Sequence, residues 1–123
     1  MYQSKYIKYK SIFKNGNDKE TVELSGNGIL EIGEKIHISF KSEGTLIDID
    51  YSGEEVLLKS NQSKLRLVKG RMILNEYQLP YGTTLLKTKM IDCKYKENHF
   101  SLKYELYDST TLISTVYIVV NMI

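Results

Sequence analysis

Apolar positions in this chain recur at every second residue, in short runs punctuated by turn-forming residues. Ile36, Ile38 and Phe40 alternate with His37, Ser39 and Lys41, and Ile47, Ile49 and Tyr51 alternate with Asp48 and Asp50. Leu65 and Leu67 alternate with Lys64 and Arg66, and Phe100, Leu102, Tyr104 and Leu106 with His99, Ser101, Lys103 and Glu105. Successive side chains of a strand point to opposite faces, so each run predicts a strand with one buried and one wet face. Turn signals separate the runs at Asn15–Asp18, Ser25–Gly28, Gly33-Glu34, Ser42–Gly44, Ser52–Glu54, Asn61-Gln62, Lys69-Gly70, Pro80–Gly82, Lys96–Asn98 and Asp108-Ser109. No window repeats its apolar residues at helical spacing. Alternation is poorest from Lys69 to Glu76, where a short helix or 3₁₀ turn is expected if one exists.

Short connections make neighbouring strands antiparallel, and a long meander tends to curl until its edges meet. The expected architecture is all-β: a closed antiparallel up-and-down barrel of about eight to ten strands, forming one domain over residues 1–123. The last strand departs from the pattern. From Thr111 to Ile123 one face offers Leu112, Val116, Ile118, Val120 and Met122, and the other Ile113, Tyr117, Val119 and Ile123. Two readings stay open: an outer cover supplied by another segment, such as the Tyr2 to Phe13 arm, or a homodimer contact.

Composition sharpens this picture in three ways. The chain has no Trp and no Ala, while Lys, Ile, Asn and Tyr abound. That skew fits AT-rich codons, removes the best helix former and favours strands. The single Cys93 cannot form an intramolecular disulfide, and the N-terminus lacks the apolar segment of a secretory signal. The longest strongly apolar stretch, Val116 to Val120, is too short for a membrane span, so a cytoplasmic location is expected. A formal net charge of +2 gives no reason to expect a nucleic-acid or membrane partner. Lys5-Tyr6-Ile7-Lys8-Tyr9-Lys10 does interleave basic and aromatic residues as single-strand binders do, with echoes at Lys94-Tyr95-Lys96 and Lys103-Tyr104. Biased composition supplies both residue types freely, so this interleaving carries little weight by itself.

Catalytic chemistry finds no motif. Gly26-Asn27-Gly28 lacks the third small residue of a dinucleotide fingerprint, since position 31 holds Glu31, and it reads as a bulge or strand bend. Asp48 and Asp50 share a strand face about 7 Å apart, but with no further ligand evidently aligned they read as a solvated face rather than a cation site. His37 and His99 fall on polar faces, and with Cys93 they lack zinc spacing. Cys93, with Ile91 and Tyr95 on its side of a strand, reads as an inert buried thiol. No catalytic residue, metal site or cofactor is assigned.

The segment Gly70-Arg71-Met72-Ile73-Leu74-Asn75-Glu76-Tyr77-Gln78-Leu79-Pro80-Tyr81-Gly82 is the most distinctive part of the chain. It resembles the signature of the YwiB-like bacterial proteins of unknown function, a Tyr-x-Thr-Pro-Tyr-Gly segment followed by a long strand. Tyr77, Pro80, Tyr81 and Gly82 match, and Leu79 stands in place of Thr. Phe100 to Leu106 resembles the family's penultimate strand, and Glu20 to Gly28 its second strand and small-residue bend. The resemblance spans nearly the whole chain and implies a calycin-like barrel, the class that includes lipocalins and fatty-acid-binding proteins. The family often has an Arg near the turn before the sixth strand. Ser60-Asn61-Gln62 stands there, so an Arg-dependent anion site at that turn is not expected. The resemblance carries a fold and no activity.

The reading that follows is a non-enzymatic barrel binding a small apolar or amphipathic molecule. Its candidate ligand-binding residues are Arg71, Glu76, Tyr77, Tyr81, Tyr104 and Tyr117, since buried tyrosines supply apolar walls with polar tips. For Arg71 and Glu76 the plainer alternative is a rim salt bridge. The alternative function is a protein-interaction or homodimeric module that uses the apolar C-terminal strand.

Overall fold

The structure, a computed structural model, describes residues 1–61, 63–79 and 81–123. Gln62 and Pro80, which fall in two of the expected turns, lie outside the described residues. Ten strands follow one another: β1 (Tyr2–Asn15), β2 (Asp18–Ile32), β3 (Ile36–Ser42), β4 (Thr45–Tyr51), β5 (Glu55–Ser60), β6 (Ser63–Val68), β7 (Met72–Leu79), β8 (Gly82–Lys96), β9 (His99–Asp108) and β10 (Thr111–Met122). No helix occurs among the described residues. The weakly alternating Lys69 to Glu76 is a turn leading into β7. Its pattern was blurred because two outward positions, Met72 and Leu74, are exposed apolar residues.

All ten strands join one antiparallel sheet in the order β6-β5-β4-β3-β2-β1-β10-β9-β8-β7. The first and last strands are therefore neighbours, with Tyr9 opposite Val120 and Ile12 opposite Tyr117. This overturns the expectation that the Tyr2 to Phe13 arm covers β10 from outside: it extends the sheet beside β10. The sheet curls into a nearly closed barrel whose remaining gap falls mid-chain, between β6 and β7.

One expected turn is absent. Ser25–Gly28 runs straight through β2, which pairs with β1 residue by residue from Asp18 to Glu31 without a shift. The two glycines serve a different need. The backbone of β3 presses onto the inner face of β2 there, and a Cβ on Gly26 would strike the Lys41 carbonyl oxygen. A Cβ on Gly28 would strike the Ser39 carbonyl oxygen and come within 2.7 Å of Ile7 Cδ1. The glycines let the sheet fold sharply on itself, a strand bend without a bulge. A true bulge lies in β8, where the register against β9 shifts between Met90 and Asp92. It turns Ile91 outward, so Ile91 does not share a face with Cys93 as simple alternation implied.

Inward positions fill the barrel with aliphatic and aromatic side chains. Ile7, Leu30, Ile38, Ile49, Val56, Leu67, Phe100, Val116 and Val120 have no solvent exposure. Each such side chain contributes roughly 1.5–3 kcal/mol through burial. Cys93 belongs to this core, and burial pushes its thiol up to about 12, reinforced by the neighbouring Asp92 carboxylate.

The gap between β6 and β7 is closed by a side chain. Asn75, buried on the inner side of β7, receives the Arg66 backbone N–H on its Oδ1 at 2.8 Å. Its Nδ2 donates to the Arg66 carbonyl at 3.0 Å and to Thr88 Oγ1 at 2.9 Å. Thr88, fully buried, donates in turn to the Arg66 carbonyl at 2.9 Å. The carboxamide thus meets a strand edge as a peptide group would. Below it, Val68 and Arg71 form an isolated antiparallel bridge, and Lys69 a parallel one with Met90.

Removing this clamp leaves the part-buried Arg66 N–H on a strand edge without its Asn75 partner. Asn75→Ala is expected to cost about 1–2 kcal/mol in urea unfolding, because its hydrogen bonds are lost and water entering the opened seam replaces them only in part. The Arg66 amide should then exchange with solvent faster, while amides of β1 and β10 keep their protection. Unchanged Arg66 protection would mean that packing, not Asn75, holds the seam.

Candidate functional site

The filled core does not reach the whole length of the barrel. Beyond Tyr9 on β1, the next inward residues are Ser11 and Phe13, which follow at every second position. Around them a cavity of about 160 Å³ opens, walled by Leu58 of β5, Leu65 of β6 and Ile118 of β10. Ser60 and Ser63, at the turn between β5 and β6, lie at its edge. Three phenols converge on it: Tyr9, Tyr77 from β7 and Tyr104 from β9. Alternation within each strand places all of these inward, and the seam strands β6 and β7 contribute two of the walls.

The polar groups of this cavity are poorly satisfied. Ser11 is 2 % exposed, and its Oγ is buried without a hydrogen-bond partner among the described residues. The hydroxyl faces Tyr9 without hydrogen-bonding geometry, though its proximity offsets part of the shift there. Burial pushes the Tyr9 phenol up to about 12. Tyr104 is pushed up still further, first by burial and then by the neighbouring Tyr9 and Tyr77. The Tyr9 and Tyr104 phenols are therefore neutral at physiological pH and act with Ser11 as hydrogen-bond donors or acceptors rather than as bases.

With this geometry in view, comparison with known proteins gives a family and a fold. A family model described as a domain of unknown function, DUF1934, matches residues 7–119. The chain belongs to that family. Among solved structures, the crystal structure of the ywiB protein from Bacillus subtilis is similar to it at 18% identity, with a TM-score of 0.76. The match covers 98% of this chain and 92% of that one, and at this identity it speaks for the fold alone. No curated protein matches the chain. The family relationship agrees with the YwiB-like resemblance carried by Tyr77, Tyr81 and Gly82, and the barrel is compatible with a calycin-like assignment.

Of the six residues singled out from sequence, the cavity brings together Tyr77 and Tyr104. The other four point elsewhere. Glu76 is outward on β7, one position from Tyr77, in a shallow outer depression with Leu57, Lys64, Arg66 and Leu74. Arg71 is exposed in the turn before β7, where its backbone N–H donates to the Val68 carbonyl. Neither forms the rim salt bridge expected of it among the described residues; the ion pair near there joins Arg66 to Glu55, whose carboxyl the guanidinium holds below the usual range. Tyr81 is 88% exposed. Tyr117 faces out from β10, with the ammonium groups of Lys14 and Lys103 at 5.0 and 5.2 Å from its ring centroid. Period two decides Glu76 and Tyr117, each one step from an inward neighbour, while Arg71 and Tyr81 lie in turns between strands.

Sequence reasoning missed Ser11 and Tyr9, which the cavity uses most. The signal was present in the alternation of Ile7, Tyr9, Ser11 and Phe13, but the Lys-Tyr interleaving of the same segment drew attention to its other face. It also missed the alignment of His37 with Asp48 and Asp50. His37 Nδ1 lies 2.5 Å from Asp50 Oδ1, and Nε2 lies 3.6 Å from Asp48 Oδ1. Folding β3 onto β4 about the Glu43-Gly44 turn sets His37 directly opposite Asp50. The trio sits on the outer surface, on the opposite face of the sheet from the cavity residues Leu58 and Ser60 that pair beside it, and forms no group suited to holding a metal among the described residues.

Two outcomes follow from these environments. Ser11→Ala should leave the free protein as stable or slightly more so, since it deletes a desolvated hydroxyl that has no partner, whereas a loss above about 1 kcal/mol would reveal a hidden hydrogen bond. Tyr9 and Cys93 have raised values and are neutral when protonated, so their contribution is whole below their ordinary values of 10.0 and 9.0. It is lost as pH rises through about 12. Urea stability should be flat up to about pH 9 and fall steadily above it, and Tyr9→Phe should flatten part of that fall.

Proposed function

We propose that this barrel binds a small, uncharged, largely apolar molecule carrying one hydrogen-bonding group, in the cavity between Tyr9, Ser11, Tyr77 and Tyr104. The observation that carries the reading is the Ser11 hydroxyl, buried without a partner at the wall of that cavity. A buried hydroxyl without a partner is costly, and a ligand atom at hydrogen-bond distance removes the cost. Cavity size sets the scale of the ligand, since roughly 150 Å³ of apolar space accommodates a benzene-sized molecule. No charged side chain lines the space among the described residues, so a charged ligand would be desolvated there without compensation.

The same lining supports a carrier or sensor in preference to an enzyme. Its Tyr9 and Tyr104 phenols are held neutral, and the two imidazoles and the thiol are placed away from it. A reducing compartment such as the cytoplasm suits a chain whose single cysteine is a buried, protonated thiol. The outward apolar residues of β10 supply no comparable support for a homodimer, because two copies meeting at Tyr117 would bring the ammonium groups of Lys14 and Lys103 against their own counterparts.

Phenol and toluene are suitable probes because they differ by one hydroxyl. At about a hundred times its dissociation constant, phenol should stabilise the barrel by about 2.7 kcal/mol in thermal unfolding. Ser11→Ala should weaken phenol about tenfold and leave toluene unchanged. Native mass spectrometry of protein purified from its own cells should show a small adduct that denaturation releases. No stabilisation by either probe, together with a bare mass, would overturn the reading.

A further inference from the structure

The outer face of the sheet separates charge in a way that the net charge of the chain conceals. Across β2, β1, β10, β9 and β8, ladder pairing aligns outward residues in rows. One row reads Glu23, Lys10, Val119, Ser101, Lys94, and the next reads Ser25, Lys8, Asn121, His99, Lys96. On the other side, Ile12 and Tyr117 stand between Thr21 and Lys103, and Lys14 follows beyond. Lys19 and Lys89 flank the margins, so this face holds eight of the 17 basic side chains. It holds three of the 15 acidic ones, Glu23, Asp92 and Glu105, and the rest of the molecule is net negative.

The face is also shaped. Val119, Ser101, Ser25 and Asn121 are short and form a recessed floor, while the lysines extend beyond it. Two depressions result, of about 370 Å³ lined by Lys8, Lys10 and Glu23 and about 220 Å³ lined by Ser101, Lys103 and Asp92. Aromatic rings stand at both flanks. Tyr117 carries Lys14 and Lys103 against its ring, and Tyr6, 42% exposed, is tethered to Ser25 by a 3.0 Å hydrogen bond. Along the strand direction the two rings are about 20 Å apart by the rise per residue. Few of the cations are neutralised: Lys10 reaches Glu23 at 3.8 Å and Lys94 reaches Asp92 at 3.7 Å, both exposed and weak.

We propose that this face binds single-stranded nucleic acid, its phosphates following the lysine-walled trough and its bases meeting Tyr117 and Tyr6. A narrow recessed floor between cationic walls suits one chain of phosphates. A lipid surface would call for protruding apolar groups, and here the lysines protrude. An acidic peptide would use the lysines but leave the two rings without a role. The interleaved Lys and Tyr of the sequence take part only in half: Tyr9, Tyr95 and Tyr104 lie on the inner face, and the lysines between them form the outer one.

The test uses the full chain with a fluorescent single-stranded oligo(dT) of about twenty nucleotides. Polarisation should report binding at about 50 mM salt, and neutralising about four phosphates should weaken it about 50-fold by 200 mM. The double variant Lys10→Glu, Lys103→Glu should lose at least about tenfold. Lys64→Glu, on β6 outside this face, should bind as the parent does, with circular dichroism confirming that both variants fold. Tyr117→Leu keeps every charge and should weaken binding a few-fold at unchanged salt dependence, which a purely electrostatic surface would not show. Absence of binding at the lower salt overturns the proposal. So does equal affinity for polyglutamate or for anionic phosphatidylserine vesicles, or an equal loss in Lys64→Glu.

Discussion

Ten antiparallel strands in a linear order have two edges, and a cylinder stays shut only if the backbone groups on those edges find partners. Here the partner is a carboxamide. Asn75 offers an acceptor and donors in the arrangement of a peptide group, so the Arg66 N–H and carbonyl meet it as they would meet another strand. Thr88 holds the same carbonyl from β8, so the clamp spans three strands. Without it, β6 and β7 would present a water-accessible slot into the apolar interior. The tight fold of the sheet at Gly26 and Gly28 is the complementary requirement, since it brings β3 over β2 and lets the edges approach at all.

Closure determines what the interior is. Over most of the barrel, side chains from opposite walls meet and exclude solvent, and the Tyr9 and Phe40 rings pack at 5.9 Å between centroids. Toward the turn between β5 and β6 the inward residues shorten to Ser11, Ser60 and Ser63, and opposite walls no longer meet. The cavity left there is bounded by Leu65 and Tyr77, which flank the clamp on β6 and β7. Seam and cavity are thus adjacent, and the least regular pairing of the sheet borders the unfilled part of the interior. The core positions are filled by apolar residues, and most lysines face out. No helix of the described residues is long and apolar enough to cross a membrane.

Alternation also explains how one segment serves two surfaces. In β1 the odd positions Ile7, Tyr9 and Ser11 line the interior, and the even positions Lys8 and Lys10 form part of a basic exterior. Tyrosines that adjoin lysines in sequence are separated from them by the thickness of the sheet. Among the described residues Tyr117 is the ring that meets lysines in space, and it does so across three strands.

The pattern of apolar and polar residues, with its turn signals, determined by itself that the chain is a meander of antiparallel strands curling into a barrel. Period two is a local property, and each strand displays it whatever surrounds it. The hairpin from Ile36 to Tyr51 even fixed the pairing of His37 with Asp50, because a tight turn sets register. Tyr77 and Tyr104 were legible as inward residues for the same reason, which also places Glu76 and Tyr117 outward, whereas Arg71 and Tyr81 fall in turns where period two says nothing. What only the tertiary structure decided depends on distances between strands far apart in sequence. The β1–β10 pairing, the Asn75 clamp, the glycine contact with β3, the gap around Ser11 and the gathering of lysines on one face all arise when closure brings remote strands together, and no local period encodes which remote strand that will be.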